Sequence, residues 1–152
     1  MALTPNRLQK LVTYRERLAK LQERELALTA QRQAERQRAV DAALSARGQL
    51  LDEPSATGPL DPLVLGSAIG YLGRVDREIE ARYAALAHSR AEVEVEREKL
   101  LGRRRDHKAM AALLESARAR LRHERQRGEM AALDEQAGSR WLRNDLGPDA
   151  QS

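Results

Sequence analysis

The chain has 152 residues, a formal net charge of +4, 33% charged residues, 3% aromatic residues and no cysteine. That composition excludes a disulfide framework and a thiolate metal site, and it leaves too few large apolar side chains for one compact central core. The abundant residues, Ala, Leu, Arg, Glu and Gln, are helix formers, which points to long helices and away from sheets.

Thr4 followed by Pro5 is a helix start: the threonine oxygen can accept from free backbone donors, and proline loses no bond at the first helical position. Residues 1–10 hold no apolar core with a cleavage site, so no export leader is expected. Helix-forming residues then continue to about Leu51, giving a first helix over 5–51. Within it a short seam runs through Leu11, Tyr14, Leu18, Leu21 and Leu28, which is expected to face a partner helix.

Residues 52–62 contain Pro54, Ser55, Gly58, Pro59 and Pro62, a cluster that no helix survives. Asp61 and Pro62 repeat the cap-plus-proline signal, so a second helix is expected over 63–142, with a tail over 143–152 holding Gly147 and Pro148. The low-charge stretch 63–73 is too short to span a bilayer, and no membrane insertion is expected. Gly66 and Gly70 within it are expected to allow close helix packing near a bend.

The second helix carries the clearest pattern. Steps of seven give Leu65, Leu72, Ile79, Leu86, Val93, Leu100, His107, Leu114 and Leu121, with one histidine off type. A seven-residue apolar repeat is the condition for a left-handed coiled coil. The companion positions are mixed: Val75, Met110 and Ala117 suit a seam, whereas Arg82, Glu96 and Arg103 narrow it.

Two helices with a break of this length can fold back on each other. The expected fold is all-α: a long antiparallel two-helix coiled-coil hairpin, second helix longer, making one coiled-coil domain over 1–152. At about 1.5 Å per residue the helices would be roughly 70 and 120 Å long. The second helix should then overhang from about Lys108, leaving Leu114, Leu121, Met130 and Leu133 uncovered.

Charge is uneven. Residues 1–47 carry ten Lys/Arg against five acids, and residues 103–129 carry nine against four. An antiparallel hairpin would gather both at its open end, a basic surface that could steer toward nucleic acid, anionic lipid or an acidic protein. Acids and bases also interleave at helical spacing, as in Glu16 with Lys20 and Glu78 with Arg82, which is the pattern of solvated helix faces. Few aromatics for stacking, and a basic tract at Arg103–Arg105 that lies inside the heptads, argue against nucleic acid as the partner.

Catalytic chemistry has little to stand on. His88, His107 and His123 are 19 and 16 residues apart, so no two share adjacent helical turns as metal ligands would. Neither a phosphate-binding glycine loop nor a GxSxG is present, and no cofactor and no enzyme activity are expected. His107 on the seam reads as a polar break that sets register, with a titrating switch as the alternative.

The C-terminal third reads Arg105-Asp106-His107-Lys108, then Leu113-Leu114-Glu115, an arginine-rich run, and Glu129-Met130-Ala131-Ala132-Leu133-Asp134-Glu135-Gln136-Ala137. This resembles the end of the FliJ/YscO family, the coiled-coil stalk proteins of type III export ATPases. Tyr71-Leu72, Val75, Ile79 and Glu80 after the break resemble the start of that family's second helix. The resemblance implies a cytoplasmic, non-enzymatic stalk at the base of a secretion apparatus, with three partners: the export ATPase hexamer, the cytoplasmic domain of the export gate, and export chaperones. ATPase-binding candidates on that analogy are Leu8, Leu11, Tyr14, Arg15, Leu133, Asp134, Glu135, Arg140 and Trp141. Gate- or chaperone-binding candidates are Tyr71, Leu72, Val75, Ile79 and Tyr83. From the residues alone, a generic coiled-coil adaptor or homodimer is the alternative.

Overall fold

The computed structural model describes residues 3–52 and 61–146; Pro54, Ser55, Gly58 and Pro59 of the break, and Gly147 and Pro148 of the tail, lie outside the described residues. The described chain is all-α. Helix α1 spans Pro5–Asp52, 48 residues, and α2 spans Pro62–Leu146, 85 residues. Both begin on the chemistry that their first residues carry. Thr4 Oγ1 accepts from the Arg7 amide at 3.4 Å, Asp61 Oδ1 accepts from the Leu63 amide at 3.1 Å, and proline follows each cap. At the other end of α2, Arg143 lies in the last turn, where a cation complements the carbonyl end of the helix.

The chain divides into two compact units, Arg17–Arg105 on one hand and Met1–Glu16 with Asp106–Ser152 on the other. Within Arg17–Arg105, the two helices pack antiparallel. The order of cross-helix bonds shows it: Glu23 meets Arg104 at 3.1 Å, Gln37 meets Arg90 at 3.1 Å, and Arg47 meets Asp76 at 2.6 Å, so α2 numbers fall as α1 numbers rise. The core is lopsided. Helix α2 contributes Ile79, Leu86, Val93 and Leu100 at steps of seven, with buried Ser89 between them. Helix α1 answers with small or polar residues, chiefly Ala19, Thr29 and Val40.

Two of the charged companion positions of α2, Arg82 and Glu96, bond across the seam. Arg82 Nη1 donates to the Ala39 carbonyl at 2.8 Å and Nη2 to Glu78 at 2.6 Å. Glu96 accepts from the Gln22 side chain. Buried Thr29 gives its hydroxyl proton to the Glu25 carbonyl at 2.7 Å, a bond within its own helix that removes the cost of burying it.

The α1 seam expected from the leucines is corrected by the structure. Tyr14, Leu21 and Leu28 are 55%, 53% and 51% exposed, and Leu11 and Leu18 are half-buried. The residues facing α2 lie one position later: Val12, Arg15, Ala19, Gln22 and Thr29. One residue is a rotation of about 100° around the helix. The second half of α1 decides the rotation. The observed face continues through Leu26, Gln33 and Val40, whereas the leucine face would have continued through Glu25, Arg32 and Glu35.

In the second unit, residues 5–16 pair antiparallel with the turns of α2 that follow Asp106. Arg15 meets Asp106 at 3.4 Å, and Arg118 donates to the side-chain oxygen of Gln9 at 2.8 Å. Leu8 and Leu114 are the buried pair of this unit, at 4% and 5% exposure. The expected overhang is therefore shorter at its start: Leu114 is covered, Leu121 is partly covered, and continuous exposure runs from Arg118 to Asp145. Pairing that begins at Leu8 protects α2 as far as Ala117, about two turns beyond the Lys108 expected from helix length alone.

The glycines of α2 also depart from expectation. Gly66, Gly70 and Gly73 have helical backbone, and no atom lies within 4 Å of a Cβ built on any of them, so among the described residues no helix packs closely there. No helix among the described residues is long and apolar enough to cross a membrane.

Candidate functional site

The candidate contact surfaces follow from what the pairing covers and what it leaves. In the unit formed by Met1–Glu16 and Asp106–Ser152, the early candidates divide by depth. Leu8 is buried against α2, Leu11 is half-buried, and Arg15 is half-buried and held by Asp106, so these three build the pairing. Tyr14 turns outward.

An open apolar groove sits where α1 begins, lined by Leu3, Pro5, Leu8, Leu113, Ala117 and Leu121, with Arg120 and Glu124 at its rim. Leu3 and Leu113 are not among the sequence candidates. Leu3 had a signal: it precedes the Thr4 cap and lies five positions before Leu8, the spacing of a hydrophobic staple. Leu113 had none, because it stands one residue off the heptad.

The later candidates, Leu133, Asp134, Glu135, Arg140 and Trp141, are all exposed on the uncovered part of α2. At about 1.5 Å per residue, Leu133 lies about 18 Å along α2 from Leu121, and Trp141 about 30 Å. The structure thus places the early and late candidates in one unit without bringing them into contact. On the uncovered stretch Met130, Leu133, Ala137 and Trp141 recur at helical spacing and form one apolar face; Met130, Leu133 and Trp141 are each at least 60% exposed. Upstream of that face the exposed Arg118, Arg120, Arg122, Arg125 and Arg127 make the helix basic. Leu133 and Trp141 therefore share a face, while Asp134, Glu135 and Arg140 border it or lie behind it.

In Arg17–Arg105 the other candidate set separates in the same way. Ile79 is buried, and Leu72 and Val75 are half-buried on the side toward α1. Tyr71 and Tyr83 are exposed, and Arg74 stacks its guanidinium 5.8 Å from the Tyr71 ring centroid. Twelve residues separate the two tyrosines, so they point about 120° apart around the helix and flank the seam on opposite sides.

Electrostatically, one seam carboxylate is perturbed. The hydrogen bond from Gln22, supported by Lys99, holds the Glu96 carboxyl below its ordinary value. What these arrangements offer chemically is protein contact: basic and apolar faces on exposed helix, with the remaining candidates spent on pairing the helices.

The model of the flagellar FliJ protein family matches residues 4–146, nearly the whole chain and both units. The chain belongs to the FliJ family. Membership makes it a coiled-coil protein of flagellar export, in a family that serves the export apparatus as a non-catalytic, cytoplasmic component. Among curated proteins and among solved structures, none matches the chain. For a FliJ-family member the division just described has a direct meaning. Residues at steps of seven on α2 hold the helices together, and the candidates that do not take part in the pairing are exposed.

Proposed function

We propose that this FliJ-family chain acts as one coiled-coil domain, the stalk of the flagellar export ATPase, binding the hexamer asymmetrically, promoting its assembly and coupling it to the export gate. The observation that carries the reading is the exposed stretch of α2 from Arg118 to Asp145, basic at its start and apolar along Met130, Leu133 and Trp141, in a chain matched by the family over 4–146. A single projecting helix of this kind can enter a ring and touch its subunits unequally.

In this reading Tyr14, Leu133, Asp134, Glu135, Arg140 and Trp141 contact the ATPase, while Leu8, Leu11 and Arg15 hold the base of the projecting helix. Tyr71 and Tyr83 contact the gate's cytoplasmic domain or free chaperones, on a frame built by Leu72, Val75 and Ile79. The protein works peripherally at the base of the export apparatus, escorts chaperones, and catalyses nothing itself.

Light scattering and ATP-hydrolysis assays with the cognate export ATPase test this directly. Co-assembly and stimulation are expected; a chain that neither joins the hexamer nor alters its turnover overturns the stalk role. Retention of the cognate gate domain and chaperones on the immobilised chain, reduced by Tyr71→Ala or Tyr83→Ala, tests the remaining contacts.

A further inference from the structure

The first three turns of α2 have no charged side. Between Asp61 and Arg74 no residue carries a charge, and residues 62–71 are all exposed. Leu63, Val64, Leu65 and Ile69 are the aliphatic side chains there, Leu63 at 81% exposure. At about 100° per residue these four spread over about 240° of the helix, and Gly66, Gly70 and Gly73 fall in the remaining arc. Within Arg17–Arg105, Arg47 stands level with Asp76, so α1 ends at Asp52 level with about residue 71, and residues 62–70 run past it. The glycine arc lies about 140° around α2 from the side of Leu72 and Ile79 that meets α1, with Leu63 and Ile69 on its two flanks. A helix apolar on nearly all sides is ordinarily a covered one.

We propose that a second copy of this chain covers the stretch, the starts of the two α2 helices pairing antiparallel along Leu63, Gly66, Ile69 and Gly70. The charges decide both the occupant and the direction. An uncharged stretch meets no like charge in its own copy, and this one is bounded by an acid at its start, Asp61, and by a base at its end, Arg74. In a two-fold antiparallel pair centred on residue 68, Pro62, next to Asp61, comes level with Arg74 of the other copy at both ends. Parallel pairing would set Asp61 against Asp61 and Arg74 against Arg74. Arg74 rests over the Tyr71 ring and makes no ion pair among the described residues. The same register sets Gly66 level with Gly70 and Leu63 level with Gly73, and no atom of the described chain lies where a Cβ on these glycines would be, so the backbones can approach. A lipid surface suits the stretch less, because Asp61 leads the helix and would enter the hydrocarbon first. Twelve residues from each copy fall short of the roughly 20–30 a side of stable complexes, so the pair is weak and reversible.

Sedimentation equilibrium of the full chain is expected to show a monomer–dimer equilibrium with a dissociation constant between about 10 μM and 1 mM. Dimerisation should weaken at least tenfold with Leu63→Glu or Gly70→Leu, and several-fold with Arg74→Glu. Circular dichroism should show no loss of helix in Gly70→Leu, because nothing in the described chain occupies the space and leucine is the better helix former. The chain has no cysteine, so introduced thiols report the direction. A short bifunctional thiol reagent should join a mixture of Leu63→Cys and Gly73→Cys chains and leave Leu63→Cys alone unjoined. A chain that stays monomeric throughout that range, a dimer that Gly70→Leu leaves as strong as before, or efficient joining of Leu63→Cys to itself each overturns the proposal. So does flotation of the chain with phosphatidylcholine–phosphatidylglycerol vesicles that Leu63→Glu abolishes, which would assign the stretch to lipid. No export component enters these experiments, so their outcome is separate from that of the ATPase assays.

Discussion

Gln22 of α1 donates its side-chain amide to Glu96 of α2, reaching both the carboxylate and, at 3.4 Å, the backbone carbonyl. A seam position of α1 is thereby matched to a charged seam position of α2, and Lys99 closes on the same carboxylate at 3.2 Å. The pair turns what reads as a weak point in the heptads into a directional contact.

Because Gln22 and Lys99 favour the ionised form, the folded Glu96 carboxyl lies below its ordinary value. Its contribution to stability is present above the unfolded carboxyl value and is lost as pH falls through the folded one. Thermal melts from pH 7 down to pH 3 should show the wild-type chain more stable than Glu96→Gln near neutrality, with the gap narrowing at the acid end. A gap that widens on acidification would contradict the assignment.

Leu86 is 2% exposed and Leu21 is 53% exposed, although both stand in seven-residue rows. Leu86→Ala should cost about 3 kcal/mol by the usual scale for buried leucines. Leu21→Ala should cost under about 0.5 kcal/mol, as surface changes do. Chemical denaturation of the two variants reads the rotation of α1 directly, since the sequence-derived seam requires Leu21 to be costly.

Trp141 is 63% exposed at the far end of the apolar α2 face. If it anchors the ATPase, Trp141→Ala should leave the melting temperature within a degree or so while weakening co-assembly by about 2 kcal/mol, roughly thirtyfold. Titration of the hexamer by light scattering measures it.

Gly128 has helical backbone in the uncovered part of α2, and nothing lies within 4 Å of a Cβ placed there. Alanine should fit without strain and reduce the freedom of the unfolded chain, stabilising this stretch by about 0.5–1 kcal/mol. Slower amide exchange around residue 128 in Gly128→Ala is the expected readout.

Sequence reading reached the all-α class, the antiparallel pairing, the longer second helix and the α2 seam through Ile79, Leu86, Val93, Leu100 and Leu114. These depend on period and on local stop and start chemistry, both of which are properties of the sequence of each helix taken alone. The rotation of α1 was not accessible in the same way. Tyr14, Leu21 and Leu28 satisfied the seven-residue spacing, and only competition with Leu26 and Val40 further along decided which row faces inward.

Among the site candidates the same limit applies. Residue type marked Trp141, Leu133, Tyr71 and Tyr83, which are exposed; Leu8 and Ile79 look no different in sequence, yet they are buried. Leu113 became part of the groove only because α1 starts beside it.

Composition, heptad period, capping residues and the family-like ending by themselves determined what kind of protein this is: two long helices that pair, in a FliJ-family chain. Which face of α1 pairs, where cover of α2 stops, and which leucines stay exposed were decided only by tertiary packing. A period places side chains on a common stripe, but when one helix carries two stripes a single residue apart, the choice rests on the summed fit of every layer along the partner helix.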